Sequence, residues 1–324
     1  MGDSRADWGI SDGYHDVGAS WVEADPDVVE RVRAAMGAEG APPEPPVLFA
    51  HPGEPLQTTD ASELVTEDGA VLGPEEWPAA ELPIGYHRLR RLRDGAETRL
   101  VLSPGSAYLP EDLKEWGWAV QLYALRSRGS WGIGDLADLR ELARWSRQDL
   151  GAGLLVLNPL HAPLPTLPHE PSPYYPSSRR FRNPLYLRVE QVPGAGKLGE
   201  SLAPLAEAGR ALNHQRLLQR DSVHELKMRA LGELFQLFDQ ADPAFQAFRR
   251  EQGSDLRDYA TFCALSERQE GPWPQWPPGY RRPRTGAVDL FRREHSRRIR
   301  FHEWLQWLLD QQLDRAAREI GLVQ

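Results

Sequence analysis

Apolar positions change their spacing at several points along the chain, and each change predicts an element. Val28, Val29, Val32, Ala35 and Met36 recur at helical spacing. Asp25-Pro26 just before them reads as a helix start, with proline in the first turn where its missing N–H costs little. Gly37 reads as the stop. A proline-rich stretch, Pro42 to Pro46, follows. Short apolar pieces then alternate with turn residues: Val47 to Ala50, Leu64 to Val65, Val71 to Leu72, Gly85 to Leu89 and Thr98 to Leu102. This pattern predicts a small antiparallel β unit, with Leu82 to Leu89 alternating as a half-buried strand. Residues 1–113 are therefore expected to form a β-rich N-terminal accessory domain.

From residue 114 the pattern differs. Trp118 to Leu125 reads as a strand, and Arg126 to Gly134 as a loop rich in Gly and Arg. A helix is predicted from Leu136 to about Asp149, with Asp135 as its N-cap, Asp138 at the third helical position, and Gly151 and Gly153 ending it. Leu154 to Leu160 is a near-continuous apolar run, as expected of a strand buried on both faces. Strand, helix and strand in this order make a βαβ unit with a parallel pair. A long Pro/Ser loop, residues 161–184, leaves the C-terminal end of the second strand, where parallel α/β folds bind ligands. Residues 202–269 read as mostly helical, with Leu226, Ala230, Leu234 and Leu237 on one stripe. One or two further helices are expected over 288–319. Gly321 then closes a helix, and Leu322 opens an apolar segment of the kind that begins a third strand. The fold class is read as α/β: the first strands of a (β/α)₈ TIM-type barrel over 114–324, with helical insertions. A closed barrel needs eight strands and about 250 residues, so the chain is expected to be the N-terminal part of a longer enzyme. The alternative is an α-rich protein with a small sheet.

Charge and cysteine usage narrow the function classes. With 38 Lys+Arg against 47 Asp+Glu, the net charge is −9, which argues against nucleic acid as a partner. The lone Cys263 excludes an internal disulfide and a Cys-based zinc site, and fits a reducing compartment as a small buried hydrophobe. The opening MGDSRADWGISDG has no apolar core of a signal peptide, and no apolar run approaches the roughly 20 residues of a membrane span. A cytoplasmic protein without a membrane partner is expected. Gly129 to Gly134 lacks the Gly-Lys-Ser/Thr of a phosphate loop, and no Gly-x-Ser-x-Gly elbow exists. His295 and His302 have no carboxylate ligand set around them, so no metal is implied. The arginines from Arg281 to Arg300 interleave with Asp289 and Glu294 and read as a solvated helix face.

Two counts point elsewhere. There are 28 prolines and 11 tryptophans. Tryptophan offers a flat face and one donor, which suits sugar rings with apolar C–H faces edged by hydroxyls. Most tryptophans are nevertheless expected in the core. Two aromatic-bearing proline loops stand out as candidate surfaces: residues 159–176 and Pro272 to Pro283.

Four motifs in order carry a resemblance. They are Trp118-Ala119-Val120-Gln121-Leu122-Tyr123, then Ser130-Trp131-Gly132-Ile133-Gly134-Asp135, then Leu157-Asn158-Pro159-Leu160-His161, then Ser172-Pro173-Tyr174 with Arg180-Phe181-Arg182-Asn183-Pro184-Leu185-Tyr186. Together they resemble the opening of the 4-α-glucanotransferase (amylomaltase) family. The resemblance implies an enzyme that cleaves a 1,4-α-D-glucan and passes the glycosyl piece to a glucan or glucose acceptor by a retaining mechanism. It implies maltodextrin as the ligand and no cofactor, because carboxylates supply the chemistry. The family places those carboxylates in later parts of the barrel, so no catalytic residue is assigned here. It implies glucan contact for the Ser-Pro-Tyr loop, with Ser172 as a hydroxyl partner and Tyr174 as a stacking platform. Asn183 and Asn158 are candidate contacts too, each also able to pin its loop through its amide. A glucan-binding protein without catalysis is the competing reading.

Overall fold

Local capping chemistry sets the first helix where the sequence puts it. In the computed structural model, which describes residues 8–38, 47–54, 56, 60–77, 82–108, 113–320 and 322–323, helix α1 spans Pro26–Met36. Asp25 caps it by accepting from the Asp27 N–H, and Gly37 closes it in the left-handed conformation. The Pro42 to Pro46 stretch and Gly321 lie outside the described residues. The chain divides into two compact units, residues 1–113 and 114–324.

In the first unit a hairpin of β1 (Gly13–His15) and β2 (Trp21–Glu23) precedes α1. A five-stranded sheet follows, built from β3 (Val47–Ala50), β4 (Ser62–Val65), β5 (Val71–Leu72), β6 (Gly85–Arg91) and β7 (Glu97–Leu102), in the order β3-β7-β6-β4-β5. The expectation of an antiparallel unit is corrected at one point: β3 runs parallel to β7. The strand expected from Leu82 begins only at Gly85. Leu64, Leu89, Leu100 and Leu102 gather round the buried Trp77, whose indole N–H reaches the Ser62 carbonyl at 2.8 Å. That bond satisfies the one polar atom the ring brings inside.

The second unit holds a three-stranded parallel sheet. β8 (Gly117–Val120) pairs with β9 (Leu154–Leu157), and β9 pairs with β12 (Leu322–Val323). Between β8 and β9 lies α2 (Leu136–Leu150). Its N-terminus is a full capping box: Asp135 accepts from Ala137 and Asp138, and the Asp138 carboxylate accepts from the Asp135 N–H. Both strands are shorter than expected. β8 stops at Val120 because the Leu122 N–H is taken by the Asn158 side chain at 2.7 Å, and a 3-10 turn over Leu122–Ala124 replaces the ladder. β9 is not buried on both faces: Leu155 packs into the helical core, but Val156 is 40 % exposed.

Five more helices complete the unit: α3 (Ala195–Ala211), α4 (Arg220–Leu237), α5 (Pro243–Ser266), α6 (Gly286–Glu294) and α7 (Ser296–Ile320). Leu139, Leu155, Leu205, Leu231, Trp304 and Leu308 meet in the main core. The stripe on α4 is buried at Ala230 and Leu234, but Leu237 is exposed, because the helix ends there. The expectation that most tryptophans are core is corrected: of the eleven, Trp77, Trp131, Trp276, Trp304 and Trp307 are buried, whereas Trp21, Trp116, Trp118, Trp145 and Trp273 are exposed. Cys263 is buried as well, and burial pushes its thiol up to about 12.

Candidate functional site

Two loops leave the C-terminal ends of β8 and β9, and the sequence builds them by opposite means. The first, from Gln121 to Gly134, is anchored by buried charge. Arg188 donates through Nε to Asp135 at 2.6 Å and through Nη2 to Asp138 at 2.8 Å. Asp138 also accepts from the Ser127 and Ser130 hydroxyls. The ammonium of Lys227, fully buried, donates to the Leu185 and Leu187 carbonyls at 2.6 and 2.7 Å. Burial pulls Lys227 down to about 8 and pushes Asp135 upward, each opposed by its oppositely charged neighbours. Burial also opposes the charge on Arg188, but the two carboxylates outweigh it and its pKa rises. Gly134 is required here: a Cβ would lie 2.0 Å from the Leu122 carbonyl oxygen. Trp131 is buried with its indole N–H on Glu190 at 2.8 Å. The Ser-Trp-Gly-Ile-Gly-Asp motif is thus scaffold.

The second loop runs from Asn158 to Asn183 and carries a short antiparallel pair, β10 (His161–Ala162) with β11 (Ser178–Arg182). Prolines at 163, 165, 168, 171, 173 and 176 fix its backbone. Its base is tied by Arg180 to Asp255 and by Arg182 to Gln306 and Asp310, and its tip by fewer contacts. The Glu170 carboxylate accepts from the Ser172 N–H at 3.0 Å, and the Ser172 hydroxyl accepts from the Tyr174 N–H at 3.3 Å. The His169 N–H donates to Asp221 on α4 at 2.8 Å. The His169 and His224 rings meet edge to face at 4.5 Å, and His169 Nε2 and His224 Nδ1 are buried with no hydrogen-bond partner. Burial lowers His169 and, with His169 beside it, brings His224 down to about 4.

Between the two loops lies a narrow, partly open recess whose enclosed volume is only about 20 Å³. Its aromatic walls are Tyr123, Tyr175 and Tyr186, and its polar groups include Ser172, Asn183 and Arg220. The Arg220 guanidinium sits 5.5 Å above the Tyr123 ring, which holds both in place. Tyr186 accepts from Asn158 Nδ2 at 3.1 Å, and burial raises its phenol pKa. Glu170 is the carboxylate in the lining, and its Oε1 is engaged by the Ser172 N–H.

The four residues singled out from sequence separate here. Ser172 and Asn183 line the recess together. Asn183 also caps a 3-10 turn, its Oδ1 accepting from the Leu185 N–H at 3.0 Å. Tyr174 is 65 % exposed and is not among the lining residues; its neighbour Tyr175 is. Asn158 is buried, its Oδ1 on the Leu122 N–H and its Nδ2 on the Pro159 carbonyl and Tyr186 hydroxyl. It ties the two strand ends together. Sequence reasoning missed Tyr123 and Arg220. Tyr123 closes a motif already noticed, but nothing local marks Arg220, which arrives from the start of α4.

The recess sits where a parallel sheet places ligand groups, and comparison with known proteins decides the family. The family model described as 4-alpha-glucanotransferase (glycosyl hydrolase 77) matches residues 120–321. The chain belongs to this family. A 4-alpha-glucanotransferase of Mycobacterium tuberculosis is 44 % identical over 280 residues, which cover 78 % of this chain and 37 % of that protein. One from Haemophilus influenzae is 30 % identical over 288 residues, covering 79 % and 40 %. The chain therefore spans about two fifths of the length of these relatives. Among solved structures, an amylomaltase from Corynebacterium glutamicum matches with a TM-score of 0.71 at 28 % identity, covering 98 % of this chain and 53 % of that one. An amylomaltase from Streptococcus agalactiae, solved in complex with acarbose, matches at 17 % identity with a TM-score of 0.51 and shares the fold alone. The 4-alpha-glucanotransferase fold is of TIM-barrel type with mixed α/β content. Among the described residues no helix is long and apolar enough to cross a membrane.

Proposed function

We propose that this chain is the glucan-holding part of a 4-α-glucanotransferase, which transfers a segment of a 1,4-α-D-glucan to a glucose or glucan acceptor by a retaining mechanism. The observation that carries the reading is the recess: three tyrosine rings with Ser172, Asn183 and Arg220 at the C-terminal ends of a parallel strand pair, in a chain of this family. Aromatic faces take the C–H faces of sugar rings, while hydroxyl, amide and guanidinium groups take their hydroxyls. Ser172 and Asn183 are read as direct contacts. Tyr174 is read as a platform outside the recess, and Asn158 as the clip that holds Tyr186 in position.

Retention needs two carboxyls about 5–5.5 Å apart, one attacking the anomeric carbon and one acting as acid and then base. Glu170 is alone in the recess lining and already accepts from the Ser172 N–H. The reacting pair is therefore read as lying outside this wall. In this reading residues 114–324 form the first strands of a (β/α)₈ barrel, and the exposed face bearing Val156 is the face a closed barrel would cover. Residues 1–113 form an accessory domain. A cytoplasmic location is supported by the lone, buried Cys263.

The test is a pair of measurements on this 324-residue chain. It is expected to bind maltotriose by calorimetry and to show no disproportionation of it. Measurable turnover would place an acid pair within the chain and overturn the division of labour. Absence of binding would overturn the glucan reading of the recess.

A further inference from the structure

The histidine pair beside the Ser-Pro-Tyr loop is left without a role by the recess. It lines another cavity, with an enclosed volume of about 90 Å³. The loop supplies His169 to its lining, α4 supplies His224, α5 supplies Cys263 and Glu267, and α7 supplies Arg298 and His302. Four buried side-chain polar atoms among the described residues have no hydrogen-bond partner, and two of them are here: His169 Nε2 and His224 Nδ1. The two rings meet edge to face at 4.5 Å. The loop tip, residues 164–176, has one hydrogen bond that leaves the loop, from the His169 N–H to Asp221 on α4 at 2.8 Å. Its other hydrogen bonds stay within the loop. Glu170, next to His169, and Arg220, next to Asp221, both line the recess. The pair therefore joins the two segments that carry these recess groups.

The surroundings decide what a proton does there. His302 has an acceptor, since its Nε2 lies 3.0 Å from Glu267, which Arg298 also engages. Burial opposes the charge on Glu267, but these two partners hold its carboxyl down to about 2. Burial keeps the Cys263 thiol and the Tyr259 phenol neutral throughout the acid range. At the pair itself, Asp221 favours a proton on either ring and Glu267 on His224, whereas Arg220 disfavours one on His169 and Arg298 one on His224. Two protonated rings at this separation repel, and each would hold a buried nitrogen with no acceptor. We propose that the His169–His224 pair is a proton-sensitive latch: neutral, it packs the loop tip onto α4, and protonated, it releases the tip and loosens the recess wall. Release hydrates both rings and returns them towards the usual value of about 6.5. His224 stands at about 4 in the closed state, lowered first by burial and then by His169. Lowering the pH from about 7.5 to about 5 then favours the open tip roughly 30-fold through this ring alone. The consequence for sugar rests on the glucan reading of the recess, but the latch does not.

Hydrogen exchange of this chain, followed by mass spectrometry and corrected for the intrinsic pH dependence of amide exchange, tests it. Between pH 7.5 and 5 the opening constant of the 164–176 segment is expected to rise by roughly 30-fold or more, beginning below about pH 6.5, while α2 amides keep their protection. His224→Gln cannot titrate and removes most of the rise. Should that variant already be open at pH 7.5, His224→Phe, which keeps a ring against His169, answers the same question. An equal opening constant at both pH values overturns the proposal. So does a rise that α2 shares, which is global unfolding, and so does a rise that survives in the non-titrating variant. A rise that begins only below about pH 4 overturns it too, because that is the range of a carboxylate such as Asp221. Calorimetry with maltotriose separates the two readings: the Kd is expected to weaken at pH 5 in the parent and not in the variant. If the segment opens as expected and maltotriose binds at neither pH, the latch stands and the recess reading falls. If maltotriose binds equally at both and the segment stays closed, the recess reading stands and the latch falls.

Discussion

The loop after β8 and the loop after β9 face the same recess yet are held by opposite physics. The first is locked by Asp135, Asp138, Arg188 and Lys227, all largely out of water. The second is held by six prolines, a few polar contacts and one histidine pair, with Tyr174 and Tyr175 left in solvent. The contrast teaches that the motif richest in chemistry-bearing residues can be the scaffold, while the loop proposed to meet the glucan leaves its aromatic rings in solvent. A buried ion pair is a poor ligand site, because its groups already satisfy one another and would have to be desolvated again for anything else. An exposed tyrosine on a proline-stiffened loop loses little freedom when a sugar covers it.

The sharpest way to break this contrast is to remove one buried charge. Asp138→Ala strips Arg188 of a partner and frees two serine hydroxyls, and is expected to cost about 3–5 kcal/mol of stability, read from the urea midpoint. A loss under 1 kcal/mol would show that the network is not what anchors the first loop. A smaller effect, on binding alone, is expected from the second loop. Tyr175→Ala should weaken maltoheptaose binding by about 1–3 kcal/mol with an unchanged melting temperature. Tyr174→Ala, outside the recess, should weaken it less. The reverse order of the two tyrosines would return Tyr174 to the main contact.

The smallest effect concerns acid. His224 has its pKa lowered to about 4, chiefly by burial, and burial lowers His169 too, against an unfolded value near 6.5. Above pH 6.5 both are neutral in either state. Between about 6.5 and 4 the unfolded chain takes up protons that the folded chain does not, so stability falls as pH falls. His224→Gln should flatten the slope of urea midpoint against pH in that window and leave pH 7.5 to 8.5 unaffected. Parallel slopes for parent and variant would remove the histidine pair as the acid-sensitive anchor.

How much of this was legible beforehand follows from how local each cause is. The caps of α1 and α2 could be read because Asp25, Gly37, Asp135 and Asp138 act within one turn. The proline loop could be read because proline acts on its own backbone. Arg188, which determines the fate of Asp135, stands 53 residues away, and Arg220, which crowns Tyr123, 97 residues away. Only the tertiary fold brings them together. The error at β8 has the same origin. Leu122 and Tyr123 look like strand residues until a side chain from the next strand end captures the backbone. Nothing in the exposed Pro-Tyr-Tyr-Pro run distinguishes Tyr174 from Tyr175, of which Tyr175 lines the recess and Tyr174 does not.

The prolines of the second loop carry one more consequence. Six of the fourteen residues from Pro163 to Pro176 have no backbone N–H, so this exposed rim offers carbonyls but almost no ladder of donors. An extended segment of a neighbouring molecule cannot zip onto it as an added strand. A surface can thus stay wet, aromatic and open for sugars without becoming a seed for aggregation.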